Sequence, residues 1–456
     1  MKKVIRDSIH KDIYLEDYEL EVIDSREIQR LRNIKQTGLT YLVYPSANHT
    51  RFEHSLGTMF IASKIAEKIN ADKKLARISA LLHDIGHPPF SHTLEVFGYD
   101  HEHHGKRKIK KMDLVNFSSS EVIKTLNKKN LEGKIISGDV DADRMDYLLR
   151  DSYHTGTAYG MIDLPRILRG LTTFKSFNKF KIGVLKKGIQ AIESLLVARH
   201  QMYSAVYMHP TVRIADTMMK RAVMKEILEK NLDVEELSIM DDISLVSFLR
   251  MSENYLMEKI DKRDLYKNLI TYGYSDLTPV ERWIFANLDE NQVLQLEEKF
   301  YNDFGCDVFL DICPIPKMEE HNVYIVSKEE VRRLDEVSPI AKSLKMAEIQ
   351  LWNIALYAPR ENIKYLKEND DVKKKIHKIL KDIDFEIRSR LVDILREYRK
   401  ITGKGKFLEI ARERGISPKE FYEELHKLIF CGLIKEKFNG RKYIYYLSNS
   451  INSNGV

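Results

Sequence analysis

The sequence predicts a mainly α-helical fold with short β elements and a winged-helix-like α/β module near its C-terminal end. Long amphipathic segments and a low glycine content, 20 in 456 residues, favour helices over most of the chain. β-Branched and proline-punctuated residues over 305–330 interrupt that pattern and indicate short strands. A capping box, a helix and a hairpin signal follow one another over 403–450, which is typical of a winged helix.

The length of the chain predicts more than one domain. A single hydrophobic core rarely serves 456 residues, so two to three domains are expected. We expect a main helical core with its extension over residues 1–340, a helical connecting region over 341–402 and the winged-helix-like module over 403–450.

Composition excludes several classes of protein. The net charge of +6, from 74 Lys+Arg against 68 Asp+Glu, suits an anionic small ligand without demanding nucleic acid. No apolar run reaches 18 residues, and charged residues stand where a signal peptide needs an apolar stretch. The three cysteines lack disulfide or zinc spacing and are expected to be small buried residues. A cytoplasmic protein without a membrane partner is therefore expected.

The main core is predicted from five segments in chain order. Residues 1–20 alternate enough to form a short strand pair or an arm, and helical spacing follows over Asp24–Gly38 with glycine as the stop signal. "RFEHSLGTMFIASKIAEKIN" predicts a helix from Arg51, and "DVDADRMDYLLRDSYHTG" predicts another that ends at Gly156. One long helix or two follow from Ala191, broken near Pro210.

The predicted winged-helix-like module over 403–450 carries both acidic and basic residues, so its charge does not settle whether it binds DNA. "SPKE" at Ser417 is a capping box, its helix is expected to end at Gly432, and a hairpin is expected to turn at Asn439–Gly440. Acidic residues accompany lysines on this helix, which argues against groove binding and favours a packing or oligomerisation module. The basic stretch "REYRKITGKGK" keeps DNA contact as the alternative, testable by a gel shift.

Histidines and aspartates on three helical segments predict a metal centre. "LLHDIGHPPFSH" sets His83 and Asp84 at the end of an apolar helix, His54 lies in "RFEHS", and Asp143 lies in "DADRMDYLLRD". Helices of a bundle can converge such side chains, and divalent transition metals bind imidazole and carboxylate. Each residue alone could be a core histidine or a helix cap. An ionised Asp84 needs a partner if buried, either a metal or an arginine.

Helical spacing also predicts one wall of a cleft. Asp143, Tyr147 and Asp151 fall at i, i+4 and i+8, so one helix face presents all three, and His87 follows His83 by four positions. Two carboxylates and a phenol suit a cleft better than a core. Ordinary aromatic packing remains an equal alternative for the two tyrosines, Tyr147 and Tyr207, and a surface ion pair for Arg199.

Three longer blocks resemble a known family. "YPSANHTRFEHSLG", "HDIGHPPFSHTLE" and "DADRMDYLLRD" together are similar to the deoxynucleoside triphosphate triphosphohydrolase (dNTPase) branch of the HD-domain metal-dependent phosphohydrolases. The resemblance covers residues 3–220 and extends to about 340. It implies an HD-domain helical bundle, one divalent ion per subunit (Mn, Mg, Fe, Zn or Ni) and a homo-oligomer, either a dimer or a tetramer.

The resemblance implies a role for each matching position. The metal ligands would be His54, His83, Asp84 and Asp143. The catalytic residues would be His87, His92, Glu95 and His101, with Glu95 orienting His92. The substrate contacts would be Gln36, Arg51, Arg144, Tyr147, Asp151, Arg199, Tyr207 and His209. An activating nucleotide would contact Lys3, Val4, Asp24, Gln29 and Arg32.

The implied activity is hydrolysis of (deoxy)nucleoside triphosphates in nucleotide metabolism. A metal-activated water would attack the α-phosphorus, and His92 or His101 would protonate the departing 5′-oxygen, giving nucleoside and triphosphate. Two alternatives remain. One is another nucleotide phosphatase or phosphodiesterase of the HD superfamily, and the other is a non-catalytic, nucleotide-sensing DNA-binding regulator.

Three features depart from the family pattern. Thr37 replaces an apolar residue after Gln36, and a smaller polar side chain could admit a ribose 2′-hydroxyl. The arm "KKVIRDSIHKDI" changes three expected residues, which predicts weak or altered activation by nucleotides. "HEHHG" is unusually rich in histidine, and we expect His103 and His104 at the surface.

Overall fold

The computed structural model describes residues 3–176, 179–316, 323–381, 389–438 and 442–448. Within these ranges it describes every side chain except those of His92, Val96, Phe97, Lys373, His377, Lys381 and Phe438. The chain forms two compact units, the first made of Met1–Leu265 and Glu319–Lys345, and the second of Tyr266–Met318 and Met346–Val456. The sequence did not predict that residues 266–318 belong to the same unit as the C-terminal residues. The predicted domain boundaries stay predictions.

Helices dominate the described residues, as the sequence predicts. The first thirteen are α1 Asp17–Ile23, α2 Arg26–Arg30, α3 Arg51–Ile69, α4 Lys73–Leu82, α5 His101–Lys111, α6 Ser119–Leu126, α7 Leu131–Ile136, α8 Ala142–Thr155, α9 Leu164–Gly170, α10 Ile189–Met202, α11 Pro210–Leu228, α12 Asp242–Met251 and α13 Tyr255–Asp261. The others are α14 Pro279–Asn287, α15 Glu290–Phe304, α16 Leu334–Val337, α17 Pro339–Gln350, α18 Ile363–Glu368, α19 Asp370–Lys381, α20 Arg390–Tyr398, α21 Lys404–Glu413 and α22 Pro418–Cys431.

Short strands form four small sheets. The strands are β1 Lys3–Asp7, β2 Lys11–Leu15, β3 Leu171–Ser176, β4 Lys179–Leu185, β5 Lys267–Gly273, β6 Phe309–Ile312, β7 Tyr324–Val326, β8 Val331–Arg333, β9 Asn353–Ala358, β10 Lys400–Thr402, β11 Ile434–Phe438 and β12 Tyr443–Leu447. The first unit holds the β1-β2 hairpin and a sheet of order β3-β4-β7-β8. The second unit holds sheets of order β5-β9-β6 and β10-β12-β11.

Helix α3 lies at the centre of the first unit's core. Its start is fixed by a capping box, in which Glu53 accepts from the Thr50 backbone N–H, and it ends at Asn70 in the left-handed conformation. It packs against α4, α7 and α8. Helix α8 begins at the N-cap Asp141 and ends at Gly156, whose φ of +71° is the conformation that favours glycine. These two capped helices carry much of the candidate site.

Several predicted elements are corrected by the structure. The helix expected over Asp24–Gly38 is limited to α2 and a following 3-10 turn, because residues 34–36 instead pair with 49–51 in an antiparallel bridge. Gly38 has a φ of +53° and opens a further 3-10 turn. Strand β9, at the centre of its sheet, lies where helices were expected. The break near Pro210 is confirmed, since α11 begins there after a π-helical turn.

The C-terminal module has the predicted helix and hairpin elements. Helix α22 starts at a capping box and ends at Gly432 with a φ of +80°, and β11 and β12 pair antiparallel. The turn expected at Asn439–Gly440 lies outside the described residues. Helix α20 and strand β10 contact these elements, so we use "C-terminal module" for residues 389–448. Among the described residues, no helix combines the length and apolarity needed to cross a lipid bilayer.

Candidate metal centre

Three helical segments bring two histidines and two aspartates together. His54 comes from α3, His83 and Asp84 directly follow α4, and Asp143 lies in the first turn of α8. Nε2 of His54 lies 3.1 Å from an Asp143 oxygen and 3.8 Å from an Asp84 oxygen. Nε2 of His83 lies 3.2 Å from Asp84 and 3.9 Å from Asp143. The imidazoles therefore point toward the carboxylates.

Hydrogen bonds fix which ring nitrogen of each histidine faces the cluster. Nδ1 of His54 lies 2.8 Å from a carboxylate oxygen of Asp146, and Nδ1 of His83 lies 2.7 Å from the Ala80 carbonyl. Both acceptors require the proton on Nδ1, so each Nε2 is left with a lone pair when the ring is neutral. This is the arrangement that metal-binding histidines need.

Asp146 is the centre of a buried ion network behind the cluster. Arg150 donates to Asp146 and to Asp7, and His10 Nε2 lies 2.6 Å from Asp146. Asp146 and Arg150 are fully buried, which is tolerable because each charge is paired. Gly57 of α3 allows this approach, since a Cβ there would clash with Asp146 and Arg150. The network fixes His54 from behind.

The cluster fits a divalent cation. Ligand atoms of His54, His83 and Asp143 all lie within 4.8 Å of one another. Nε2 of His83 is buried and has no hydrogen-bond partner among the described residues. Burial opposes protonation of His54, but bonds to Asp143 and Asp146 raise its pKa to about 10. Ligation requires neutral imidazole, so cation binding would displace that proton. The described residues could thus hold a metal ion.

Asp84 has the arginine partner that was one of the two alternatives left open by the sequence. Its Oδ2 accepts a short hydrogen bond from Arg51, while its Oδ1 lies 3.3 Å from Nε2 of His87. Despite burial, the charges of His83 and Arg51 hold the pKa of Asp84 well below its ordinary value. Arg51 also donates to the Ser91 hydroxyl at 2.6 Å. An arginine predicted to contact phosphate therefore lies beside the candidate metal ligands.

A second group of ionisable residues adjoins Asp84. Glu95 lies 2.7 Å from Nδ1 of His101 and 3.6 Å from Nδ1 of His87, and the two imidazole rings stack at 4.2 Å. Burial and Arg51 hold the pKa of His87 well below its ordinary value. Burial also opposes protonation of His101, but Glu95 raises its pKa. His101 could therefore act as the protonated acid while His87 stays neutral. The predicted pairing of Glu95 with His92 falls outside the described side chains.

Three side chains that sequence reasoning missed hold the backbone of residues 85–87. Arg30 donates to the carbonyls of Ile85 and His87 at 3.1 and 2.7 Å. Tyr99 donates to Gly86 at 2.8 Å. Lys108 donates to the Ile85 carbonyl at 3.3 Å and to the Ser238 carbonyl at 2.6 Å, although the basic stretch "KRKIKK" (Lys106–Lys111) that contains it is typical of a solvated helix face. His104 was expected at the surface, but it is buried and stacks on Tyr99.

The loop after this turn contains backbone strain. Phe90 and Ser91 have φ values of +51° and +52°, which is uncommon for residues other than glycine. Asp242 accepts from the Phe90 N–H at 2.8 Å and from the Lys35 N–H at 2.9 Å, so it ties two loops of the site together. The strained pair positions the Ser91 hydroxyl for its bond to Arg51.

A polar cluster lies at the other end of α8. Asp151 accepts a hydrogen bond from the Tyr207 hydroxyl and lies 2.7 Å from Nε2 of His49. The Gln36 N–H donates to the His49 carbonyl at 3.0 Å, so the backbone of Gln36 adjoins that of His49. Side-chain oxygens of Gln36 and Thr37 are buried without hydrogen-bond partners among the described residues. Sequence reasoning missed His49, although "NHTRFEH" placed it two residues before Arg51.

The other predicted substrate residues are distributed unevenly. Tyr147 packs edge-on to Tyr207 with ring centroids 6.4 Å apart. Arg144 is buried and donates to the Asp139 carbonyl at 3.1 Å. Arg199 is buried, and its guanidinium carbon lies 4.8 Å from the centre of the Tyr203 ring. The alternative of a surface ion pair for Arg199 is therefore wrong. His209 is the N-cap of α11 and accepts from the Thr211 N–H.

The residues predicted for an activating nucleotide lie in separate elements. Gln29 accepts from Arg32 at 2.8 Å and donates to the Ile23 carbonyl next to Asp24. Lys3 and Val4 belong to β1, opposite Leu15 and Tyr14 of β2. Nucleotide activation therefore stays a prediction.

The chain is similar to known proteins over the region that contains this site. The HD domain model matches residues 51–151, and the HD associated region model matches 162–386. Over 449 residues, the chain is 77% identical to the uncharacterized protein MJ1154 of Methanocaldococcus jannaschii, covering 98% of this chain and 99% of that one. A crystal structure of a hypothetical protein from Aquifex aeolicus is similar with a TM-score of 0.63 and 30% identity, covering 81% of this chain and 99% of that one.

The fold and its histidine–aspartate cluster define an HD-domain hydrolase. The chain belongs to the HD-domain phosphohydrolases and resembles the catalytic core of the SAMHD1 proteins. It is 30% identical over 312 residues to the deoxynucleoside triphosphate triphosphohydrolase SAMHD1 homolog of Dictyostelium discoideum, covering 58% of this chain and 59% of that one. The similarity thus spans little more than half of that protein.

Proposed function

We propose that this chain hydrolyses nucleoside triphosphates, deoxynucleoside triphosphates included, to nucleoside and inorganic triphosphate. The arrangement along α8 carries the proposal. Asp143 faces the histidines at one end, and Asp151 faces His49 and Tyr207 at the other. Eight residues of helix separate the two aspartates by about 12 Å. That span suits phosphates at the first end and a sugar at the second.

The metal ligands and their neighbours would bind the phosphates. A divalent ion held by His54, His83, Asp84 and Asp143 would supply a Lewis acid for the phosphoryl oxygens and for water. Arg51, buried beside Asp84, would neutralise charge on the phosphates in a site where water does not compete. The name of the Dictyostelium relative supports triphosphates as substrates.

His101 is the described residue best placed to protonate the departing 5′-oxygen. Its bond to Glu95 favours the protonated ring, and His87 beside it favours the neutral form. A pair of imidazoles with pKa values pushed apart is the pattern expected of assigned acid and base roles. The predicted role of His92 stays open, because its side chain is not described.

The polar cluster at Asp151 would bind the sugar. Tyr207 and His49 hold the Asp151 carboxylate, which can accept from a sugar hydroxyl. The side-chain oxygens of Gln36 and Thr37, which have no hydrogen-bond partner in the described part of the chain, would be further acceptors for the sugar. Buried polar atoms without partners cost free energy, and a bound hydroxyl would relieve that cost.

Product analysis tests the proposed reaction. Purified chain is incubated with a panel of dNTPs and NTPs and with Mn, Mg, Fe, Zn or Ni, and products are resolved by ion-exchange chromatography. Triphosphate with nucleoside is expected. Orthophosphate or pyrophosphate would instead indicate another HD-superfamily phosphatase or phosphodiesterase. Bound nucleotide without turnover under every metal would indicate a nucleotide-sensing regulator.

A ligand variant tests the metal centre. We expect Asp84→Ala to lower turnover at least about a thousandfold, because it removes a ligand and leaves Arg51 unpaired. Lys419→Ala, on an 85% exposed side chain of α22, is the control and should keep full activity. Equal turnover in Asp84→Ala and the parent would exclude metal chemistry here. The dimer or tetramer implied by the family is checked by light scattering on the same samples.

A further inference from the structure

The net positive charge of the chain is concentrated in the C-terminal module. Residues 389–448 contain 14 lysines and arginines against 8 aspartates and glutamates, a net charge of +6. This equals the net charge of all 456 residues, so the rest of the chain is balanced. A single-sign excess confined to 60 residues is the electrostatic footprint of a site for a polyanion.

Strand register gathers part of this charge on one face of the β10-β12-β11 sheet. Tyr446 of the central strand lies opposite Lys400 on one side and Lys435 on the other. In the next row, Ile444 lies opposite Thr402 and Lys437. Directly opposed residues of antiparallel strands share a face, with Cβ atoms about 5 Å apart. We call these six residues the outer sheet face.

Burial shows that this face points to solvent within the module. Lys400, Lys435 and Lys437 are exposed, and Tyr446 is half-buried. The alternating residues Ile401 and Tyr445 are 2% and 1% exposed, so the opposite face packs on the module's core. None of these three lysines forms an ion pair with another described residue. The outer sheet face is therefore an aromatic ring flanked by uncompensated cations.

Helix α22, where a winged helix would normally read DNA, does not offer a comparable surface. It carries Glu420, Glu423 and Glu424 on its exposed side. Its end packs on neighbouring parts of the same unit, because Tyr274 donates to the Phe430 carbonyl at 2.6 Å and Arg282 to the Cys431 carbonyl at 3.1 Å. Insertion of this helix into a major groove is therefore disfavoured.

We propose that the outer sheet face binds single-stranded nucleic acid. Lys400, Lys435 and Lys437 contact phosphates, and Tyr446 stacks on a base. A flat sheet with a central aromatic ring between cations is suited to an unpaired strand, whose bases are free to stack. A duplex keeps its bases paired and stacked, so it would offer Tyr446 no free base and would present mainly phosphates to a flat face. This inference is independent of the hydrolytic site.

The test measures binding of the full-length protein to a fluorescein-labelled 20-mer of oligothymidylate by anisotropy at several salt concentrations. The triple variant Lys400→Gln/Lys435→Gln/Lys437→Gln is expected to bind about tenfold or more weakly. Its slope of log K against log salt should fall by about 2, since each phosphate contact on a single strand contributes about 0.7. Tyr446→Ala should weaken binding about fivefold or more, and Tyr446→Phe should retain it.

A matched triple variant separates this face from general charge. Lys367→Gln/Lys374→Gln/Lys419→Gln removes three exposed lysines elsewhere in the same unit and should bind within about twofold of the parent. Circular dichroism and thermal unfolding confirm that both variants are folded. Equal losses in the two triples would overturn the proposal, as would tighter binding to a duplex of the same length. Capture by phosphatidylserine vesicles without oligonucleotide binding would also overturn it and assign the face to anionic lipid.

Discussion

The first unit and the C-terminal module distribute their charged side chains in opposite ways. The first unit buries ionised groups such as Asp7, Asp84, Asp146, Arg150 and Asp151. The described part of the module buries apolar residues, Phe407 and Phe421 among them, and its buried polar residues are two serines. Burying a charge is costly unless it is paired, so the module shows the arrangement that stability alone favours. Charges inside the first unit are therefore expected to serve chemistry.

Outside the candidate metal ligands, the largest expected effect tests whether the ion pair of Glu95 and His101 serves catalysis. If His101 is the proton donor, His101→Gln should lower kcat about a hundredfold or more. Glu95 raises the pKa of His101 against the effect of burial, while Asp84, Arg51 and His87 also face the ring. The active, protonated form is present below that pKa and is lost as pH rises through it.

Glu95→Gln should therefore move the alkaline limb of the kcat profile to lower pH, because the raised pKa would fall toward its ordinary value. The measurement is kcat from pH 5 to pH 9 at saturating substrate and metal. An unchanged limb, with activity lowered equally at all pH values, would assign Glu95 a structural role and weaken the contrast between the two regions.

The next effect sharpens the contrast by separating two members of one buried network. Asp146 holds Nδ1 of His54, whereas Asp7 contacts Arg150 and not the histidine. We expect Asp146→Asn to weaken metal binding about 10–100-fold, with kcat largely recovered at saturating metal. Titration of activity with metal ion measures this.

Asp7→Asn is the matched control for Asp146→Asn. Both substitutions remove one buried carboxylate from Arg150, so both should lower the free energy of unfolding. Only the Asp146 variant should change the apparent metal affinity. Equal metal affinities in the two variants would mean that the network supports the fold and not the metal centre.

The sequence could predict the elements whose signals are local. Helices α3 and α8 follow from capping residues and apolar spacing within about twenty positions, and the mainly α fold with an HD domain is confirmed. Strand β9 could not be recognised, because a short apolar run such as "NIALYA" suits a strand or a buried helix equally. Its partners β5 and β6 lie far away in the chain, where no periodicity points to them.

The candidate site also has a part that the sequence could predict and a part that it could not. The convergence of His54, His83, Asp84 and Asp143 was predictable, since four costly residues in helical segments need a common partner. Their supporting contacts were not, because the contacts join distant positions. His10 reaches Asp146 across 136 residues, and Lys108 reaches Ser238 across 130. The side chain of Lys108 was indistinguishable from the other lysines of "KRKIKK" until its burial was known.

A smaller effect is expected from the buried polar atoms that lack partners. Oγ1 of Thr37 is buried beside the proposed sugar site without a hydrogen-bond partner among the described residues. Thr37→Leu should lower kcat/KM for ribonucleotides about tenfold relative to deoxyribonucleotides, since added volume excludes the 2′-hydroxyl. Thr37→Val removes the hydroxyl at nearly constant volume and should change the ratio less. A ratio that neither variant alters would place the sugar elsewhere.

The smallest effect concerns the stability of the first unit and Lys108, which is half-buried behind the turn at residues 85–87. Burial lowers the pKa of Lys108 to about 7, with the charge of Arg30 acting in the same direction. The unfolded chain has the ordinary, higher lysine pKa and so binds more protons above pH 7. The free energy of unfolding should therefore increase with pH from 7 to 9, by about 2 kcal/mol.

Lys108→Met isolates this contribution, because it keeps the aliphatic stem and removes the amine. The variant should show a flatter dependence of unfolding free energy on pH than the parent, measured by urea denaturation at pH 7 and pH 9. Lys106→Met, in the same helix and paired with Glu102, is the control and should leave the dependence unchanged. If Lys108→Met also leaves the pH dependence unchanged, the Lys108 amine is solvated despite its contacts with Ile85 and Ser238. The first unit would then differ less from the module in the charges that it buries.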